Sequence, residues 1–277
     1  MADEQSDDTD SPASILRRAE DLRAQGDHQF RESLTLFRRA YTATSDPHER
    51  GLIGQQAWEI EQRIATSSPY FSQASQDRYL DERFFMGKRD GVFVEIGGYN
   101  GITGSNCVFF EAFRGWTGIL VEPSPRLREM AAKVRRATCV EAAVAAEDGS
   151  AEFIHVTGGY MQMSGLSDTY DKGILNSVRK NPVHREEHLT VPTRRLEAIL
   201  REHQIEHADL CSLDVEGAEL SILASFPFNH FEIDAWTVEN ASSSNEIRSV
   251  MEANGYQLSA VLGADEIYTH GSKRMDR

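Results

Sequence analysis

The sequence is short of positive charge. Lysine and arginine number 29 against 44 aspartates and glutamates, a formal net charge of −15. A field of that sign repels phosphate backbones and anionic lipid heads, which argues against nucleic acid or a membrane as partner. Long apolar runs are missing too. No stretch approaches the roughly 20 residues that span a bilayer. No basic segment followed by an apolar one opens the chain, so no signal peptide is expected. Cysteine is scarce, with Cys107, Cys139 and Cys211 as the whole supply, and none forms a C-x-x-C pair. All three are read as buried free thiols of a reducing compartment. Together these absences predict a cytoplasmic protein.

What is present is ordinary for a globular chain. Of 277 residues, 40% are hydrophobic and 26% charged, which suits one full domain and something smaller. The opening "MADEQSDDTD" is acidic and poor in apolar residues, so residues 1–10 are expected to be disordered. Three helical patterns follow. "SPASILRRAEDLRAQG" has Ser11 as N-cap, Pro12 at the first helical position, a stop at Gly26, and an Ile15, Leu16, Ala19, Leu22 stripe. The second carries Leu34, Phe37, Ala40 and Tyr41 on one face, the third Leu52, Ile53, Ala57, Ile60 and Ile64. The first two resemble a single tetratricopeptide-type hairpin. One such unit does not bury its own face. Residues 11–68 are therefore either an appendage packed on the main domain or a module for a partner or a homodimer.

From Gly91 strand and helix patterns alternate, beginning with "GVFVEI" and "TGILVE" and continuing through "DLCSLDV" and "DAWTVEN". "ATCVEAAV" and "AEFIHV" also read as strands. The alternation predicts an α/β fold, with a mostly parallel, Rossmann-like sheet and helices on both faces. The closing pair, "YQLSAVL" and "EIYTH", is separated by too short a turn for a crossover and must be antiparallel. Residues 157–188 interrupt the alternation with a long polar segment, the usual form of a lid or substrate loop.

Ligands of such sheets bind beyond the strands' carboxyl ends. The first strand runs into "VEIGGYNGITGSN", with Glu95 followed by Gly97, Gly98, Gly101 and Gly104. The next strand ends at Glu122, placed to accept both hydroxyls of a ribose. No G-x-G-x-x-G passes through this loop, so a pyrophosphate turn is not supported. S-adenosylmethionine, which is cationic and lacks phosphate, suits the acids near Glu95 and Asp214 better.

A third strand end, "CSLDVEGAEL", crowds Asp214, Glu216 and Glu219 together. Glu219 reads as a helix-capping acid. Asp214 and Glu216, with Glu239 of "WTVEN", read as catalytic acids that organise a methyl acceptor. They are also hard oxygen ligands for Mg²⁺. If no metal helps, a base is needed, and His155, His184 and His188 lie in or near the inserted segment. The His184–His188 spacing would put both rings on one face of a helix. Tyr160 and Tyr170 suit stacking on a sugar, and Met161 and Met163 a pocket lining or a filled gap.

Several of these pieces, in order, resemble the FkbM-type methyltransferases: "SQASQDRYL", "GVFVEIGGYNGITGSN" with "FFE", "GWTGILVEPSP", "MSGL", "VPTRRLEAIL", "LDVEGAEL" and "VEN". The likeness runs from about residue 71 to 268. Gly98-Tyr99-Asn100 departs from it, since relatives often have Ala and then an acid there. The resemblance implies a methyltransferase domain over 69–270, with 271–277 as a tail. It implies S-adenosylmethionine as donor and O-methylation of hydroxyls on saccharides or small natural products. By position, Glu95, Gly97 and Gly101 would surround the methionine end, with Ser105 and Asn106 near its carboxylate. Glu122 would hold the ribose, and Glu141 and Ala142 would flank the adenine. Two other readings remain: a nucleotide-dependent oxidoreductase on the same fold, and a non-catalytic adaptor acting through the amino-terminal helices.

Overall fold

The computed structural model describes residues 11–24, 30–64 and 69–271. The expected disordered tail 1–10, the helix stop at Gly26 and residues 272–277 of the closing tail lie outside them. Helices α1 (Pro12–Ala24), α2 (Phe30–Ala43), α3 (Pro47–Ile64) and the short α4 (Gln76–Tyr79) come first, and a π-helical turn, Leu80–Phe84, continues α4. Then follow β1 (Val92–Ile96), a second π-helical turn (Phe110–Arg114), β2 (Thr117–Val121), α5 (Pro125–Val134) and β3 (Thr138–Val140). Next are β4 (Ala143–Val144), β5 (Gly149–Gly158), β6 (Gly165–Leu166), α6 (Lys172–Arg179), β7 (Arg185–Arg194) and α7 (Leu196–Glu202). The chain closes with β8 (His207–Leu213), α8 (Glu219–Ser225), β9 (Glu232–Glu239), α9 (Asn245–Ala253), β10 (Tyr256–Leu262) and β11 (Asp265–His270).

Seven strands form one sheet in the order β10-β11-β9-β8-β1-β2-β3. All pairs are parallel except those of β11, which runs antiparallel to both β10 and β9. Strands covered on both faces read as continuous apolar runs, and β8 is buried along nearly its whole length. Side chains alternate between two cores. Val94, Ile119, Cys211 and Val238 face Ile199, Ile222 and Met251 on one side. Phe93, Leu210 and Ile267 face Phe85, Phe110 and Trp116 on the other. The cysteines are free; Cys107 and Cys211 are buried, whereas Cys139 is only half-buried.

Four strands form a second sheet, β4-β7-β5-β6, that the alternation did not foretell. "ATCVEAAV" splits at Glu141: β3 stays in the large sheet and β4 pairs with β7. "AEFIHV" is a strand but runs antiparallel to β7. The expectation of a helix at "HREEH" is overturned, because Arg185–Arg194 is extended. Residues two apart share a strand face, so His184 and His188 flank Glu186, with Nε2 atoms 2.9 and 3.2 Å from its oxygens.

The amino-terminal helices share a core around Phe37, Ala40, Ile53 and Ile60. Leu52, expected on that stripe, is exposed. Gly51 beside it approaches β10 so closely that a Cβ would sit 2.7 Å from Val261. Its carbonyl accepts the Gly263 N–H at 2.9 Å, and Trp58 Nε1 donates to the Ser72 carbonyl at 3.0 Å.

Candidate active site

Strands β2, β1, β8 and β9 end together, and beyond them opens a cavity of about 630 Å³. That is the size of a small-ligand site. The strand ends are stitched to one another: Asp214 N–H donates to the Ile96 carbonyl at 3.2 Å, and Gly97 N–H to Val121 at 3.0 Å. At Gly97 φ is +82°, and a Cβ would lie 1.8 Å from the Asp214 carbonyl oxygen. Only glycine lets the loop turn there. Tyr99 and Glu216, both lining the cavity, also have positive φ, +46° and +60°. Non-glycine residues hold this conformation at a cost, commonly at functional sites.

Glu122 closes β2 inside the cavity wall. Tyr99 N–H donates to its Oε2 and Ser124 N–H to its Oε1, both at 2.9 Å. Burial pushes its pKa up to about 8, against the pull of those two N–H groups. Each oxygen keeps a lone pair for a ligand hydroxyl.

Glu95 also lines the cavity, but its charge is already engaged. Its Oε2 accepts from Arg135 Nη1 at 2.7 Å, and its Oε1 accepts from the Ser105 hydroxyl. Glu95 therefore fixes the glycine loop as well as lining the cavity. Arg135 is buried and reaches Glu111 Oε2 at 2.5 Å and the Gly101 carbonyl at 2.9 Å. In the sequence it stands in "KVRR" as one more basic residue at a helix end, with no signal to mark it. Ser105 Oγ accepts the Val108 N–H at 2.9 Å, so it caps the following helical turn. Asn106 donates to Ser212 Oγ at 3.1 Å, and its Oδ1 is buried without a hydrogen-bond partner.

Ala142 lines the cavity, whereas Glu141 does not. Glu141 is exposed and pairs with Arg128 at 3.3 Å.

The acids after β8 and β9 divide differently from the sequence expectation. Asp214, Glu216 and Glu239 all line the cavity. The carboxylates that converge are those of Asp214, Glu219 and Glu239, whose nearest oxygens lie within 4.8 Å of one another. Glu219 Oε1 accepts the Val215 N–H at 2.9 Å and its Oε2 the Gly217 N–H at 3.0 Å. It therefore fastens the loop before α8, in keeping with an anion at a helix start. Glu216 stands outside the trio, and its Oε2 is buried without a partner. Burial and then neighbouring carboxylates push Asp214, Glu216 and Glu239 upward; for Asp214 the neighbours are Asp265 and Glu219, opposed by a hydrogen bond with Glu239.

Among the described residues, five acids line the cavity and no lysine, arginine or histidine does. His155, His184 and His188 are thus not where a base would act. His155 sits in β5, where burial lowers its pKa. Tyr160 and Met161 in the β5–β6 connection line a wall and stay 56% and 46% exposed, open to a ligand. Tyr170 is buried behind that wall, donating to the Met163 carbonyl at 2.8 Å, so it braces the loop and stacks on no ligand.

No curated protein sequence matches the chain significantly. Among solved structures it is similar to the TehB-like SAM-dependent methyltransferase from Corynebacterium glutamicum ATCC 13032. That pair has 12% identity and a TM-score of 0.39, over 78% of this chain and 95% of that one. It is also similar to Methyltransferase FkbM from Methylobacillus flagellatus KT, with 11% identity and a TM-score of 0.43, over 94% of this chain but 61% of that one. The family described as the Methyltransferase FkbM domain matches residues 95–258, which carry the glycine loop, Glu122, Asp214 and Glu239. That match spans more than half of the 277 residues, and the chain belongs to the methyltransferase FkbM domain family.

Proposed function

We propose that this protein is an S-adenosylmethionine-dependent methyltransferase that methylates a hydroxyl on a saccharide or small natural product. The observation that carries the reading is Glu122, a buried carboxylate held by two backbone N–H groups at the cavity wall beside the Gly97 turn. Those features fit the donor. Glu122 has lone pairs for a ribose diol, and Ala142 and Leu127 supply apolar surface for an adenine. Gly97 leaves backbone open to the methionine end. When bound, S-adenosylmethionine supplies an electrophilic methyl carbon on a cationic sulfur.

The other residues prepare the acceptor. Among the described residues five acids and no lysine, arginine or histidine line the cavity, so an anionic acceptor would find no cationic partner there, which supports an uncharged hydroxyl compound. Tyr160 and Met161 give that acceptor an amphipathic wall. Glu216 Oε2, buried and without a partner, is free to accept a hydrogen bond from the acceptor hydroxyl and so orient it. Asp214 and Glu239 hold the oxygen in line with the methyl group, and alignment alone is worth several kcal/mol.

Calorimetric titration of the full chain with S-adenosylmethionine tests the donor. Micromolar binding is expected, and Glu122→Ala should weaken it tenfold or more, about 1.4 kcal/mol. Absence of binding would sink the reading. Incubation with labelled donor and a panel of hydroxylated acceptors tests the reaction. Glu216→Gln should lower kcat while leaving donor affinity in place.

A further inference from the structure

S-adenosylmethionine brings one anionic group, the carboxylate of its methionine end. Among the described residues no lysine, arginine or histidine lines the cavity, so that carboxylate needs neutral hydrogen-bond donors. The two residues that the resemblance puts beside it are spent. Ser105 Oγ donates to Glu95 and accepts the Val108 N–H. Asn106 donates to Ser212 and keeps only its unpartnered Oδ1, an acceptor, which has the wrong polarity for an anion. Much of the glycine loop is engaged as well. The N–H groups of Gly97 and Gly98 donate to Val121, that of Gly101 to Gly98, and those of Ile102 and Thr103 to Asn100.

Four side-chain carboxamides line the cavity. Asn100 is tied to Thr103 at 2.9 Å and Asn106 to Ser212 at 3.1 Å. The other two, Gln73 and Gln162, are exposed, and neither side chain is hydrogen-bonded to another described residue. Both reach over Gly104. Gln162 Nε2 lies 3.0 Å, and Gln73 Nε2 3.1 Å, from where a Cβ on that glycine would stand. Two uncommitted amide groups thus converge at the end of the glycine loop, beside Ser105 and Asn106.

Gln73 is held there by a scaffold, the "SQASQD" segment. Asp77, fully buried, accepts the N–H groups of Phe71 at 2.6 Å and Ser72 at 3.2 Å, and the Ser72 hydroxyl at 2.5 Å. Gln76 Oε1 accepts the Ala74 N–H at 2.7 Å, and its Nε2 donates to Asp265 at 2.9 Å. Ser72 bridges to Gly104. Ser72, Ala74, Gln76 and Asp77 are all buried, and Gln73 among them is exposed at the cavity. Burying a carboxylate and an amide is costly unless they are fully bonded. Here the bonds they make fix the backbone on either side of Gln73, which is how a binding side chain is preorganised.

We propose that Gln73 and Gln162 donate hydrogen bonds to the carboxylate of S-adenosylmethionine, and that the "SQASQD" segment, which precedes the family-matched residues 95–258, presents Gln73 for that purpose. The inference rests on the methyl-transfer reading. It gives the methionine end two contacts, one from the segment before β1 and one from the β5–β6 connection.

The full chain is titrated by calorimetry with S-adenosylmethionine and with decarboxylated S-adenosylmethionine, which lacks the carboxylate alone. Gln73→Ala and Gln162→Ala should each weaken S-adenosylmethionine about tenfold, as expected for a lost hydrogen bond to a charged group. They should leave the affinity for the decarboxylated compound unchanged. Gln73→Glu, close in shape but anionic, should weaken S-adenosylmethionine further than Gln73→Ala and tighten the decarboxylated compound, which is a dication. Melting temperatures of the variants should match the wild type, since both positions are exposed; that separates a lost contact from a lost fold. Unchanged S-adenosylmethionine affinity in both alanine variants, or equal loss of the two ligands, overturns this inference alone. Binding of neither ligand by the wild-type protein overturns the methyl-transfer reading and this inference with it.

Discussion

Arg135 and Glu95 form a buried ion pair, with Nη1 2.7 Å from Oε2, and the same guanidinium holds Glu111. Two carboxylates from different elements thus depend on one cation, and so does the Gly101 carbonyl of the glycine loop. Arg135→Met should cost about 3–5 kcal/mol, the range for a buried ion left without its partner. Urea unfolding measures it. A loss under 1 kcal/mol would mean that the pair behaves like an exposed one. Donor affinity should fall in the same variant, because the loop loses its anchor.

Gly97 separates two effects that usually travel together. Gly97→Ala combines a positive φ with a Cβ driven into the Asp214 carbonyl, so donor binding should be lost. Gly87 has nearly the same φ, +79°, and open space around it. Gly87→Ala should therefore cost only the conformational penalty, about 1–2 kcal/mol, and leave donor binding alone. Equal damage from the two variants would show that steric approach at Asp214 is unimportant.

The raised pKa of Glu122 ties stability and binding to pH. Its folded value of about 8 lies above the ordinary 4.5, so the folded protein holds a proton that the unfolded chain releases. Its contribution to stability is full below 4.5 and lost as pH rises through 8. Glu122→Gln should flatten that slope in chemical denaturation between these limits. Ligand hydroxyls bond better to the ionised form, so donor binding at pH 7 should expel a proton, seen as a buffer-dependent calorimetric enthalpy. Glu122→Gln should abolish that dependence, and its persistence would place the proton on another group.

Trp58 connects the amino-terminal helices to the cavity. Its indole N–H holds the Ser72 carbonyl, and Ser72 bridges to Gly104 of the glycine loop. Trp58→Phe should cost about 1 kcal/mol for the lost hydrogen bond. The donor should bind more weakly as well. Reduced thermal stability with unchanged donor affinity would limit α3 to a structural role.

The periodic parts of this fold are legible in the sequence for a local reason. Strands such as "VFVEI" and "DLCSL" are covered on both faces, so their apolar runs are continuous and end where Glu95 and Asp214 meet solvent-sized space. Glycines at positive φ, as at Gly97 and Gly101, announce the turn because few other residues tolerate it. The second sheet is not legible in the same way. β4 and β6 are two-residue strands, too short to show a period, and β7 carries "HREEH", whose spacing serves a helix face as well as a strand.

Composition, strand ends and glycine positions, all short-range properties of the chain, were enough to determine an α/β protein with a ligand crevice beyond Glu95, Glu122 and Asp214. Which charges are spent and which are free was decided only in three dimensions. Arg135 cancels Glu95 from 40 residues away, Glu219 turns back to bind its own loop, and Glu239 comes to Asp214 across the β8–β9 pairing. Charge interactions fall with distance in space and ignore distance along the chain. That is why an acid's role here is set by its neighbours in the folded protein and not by its motif.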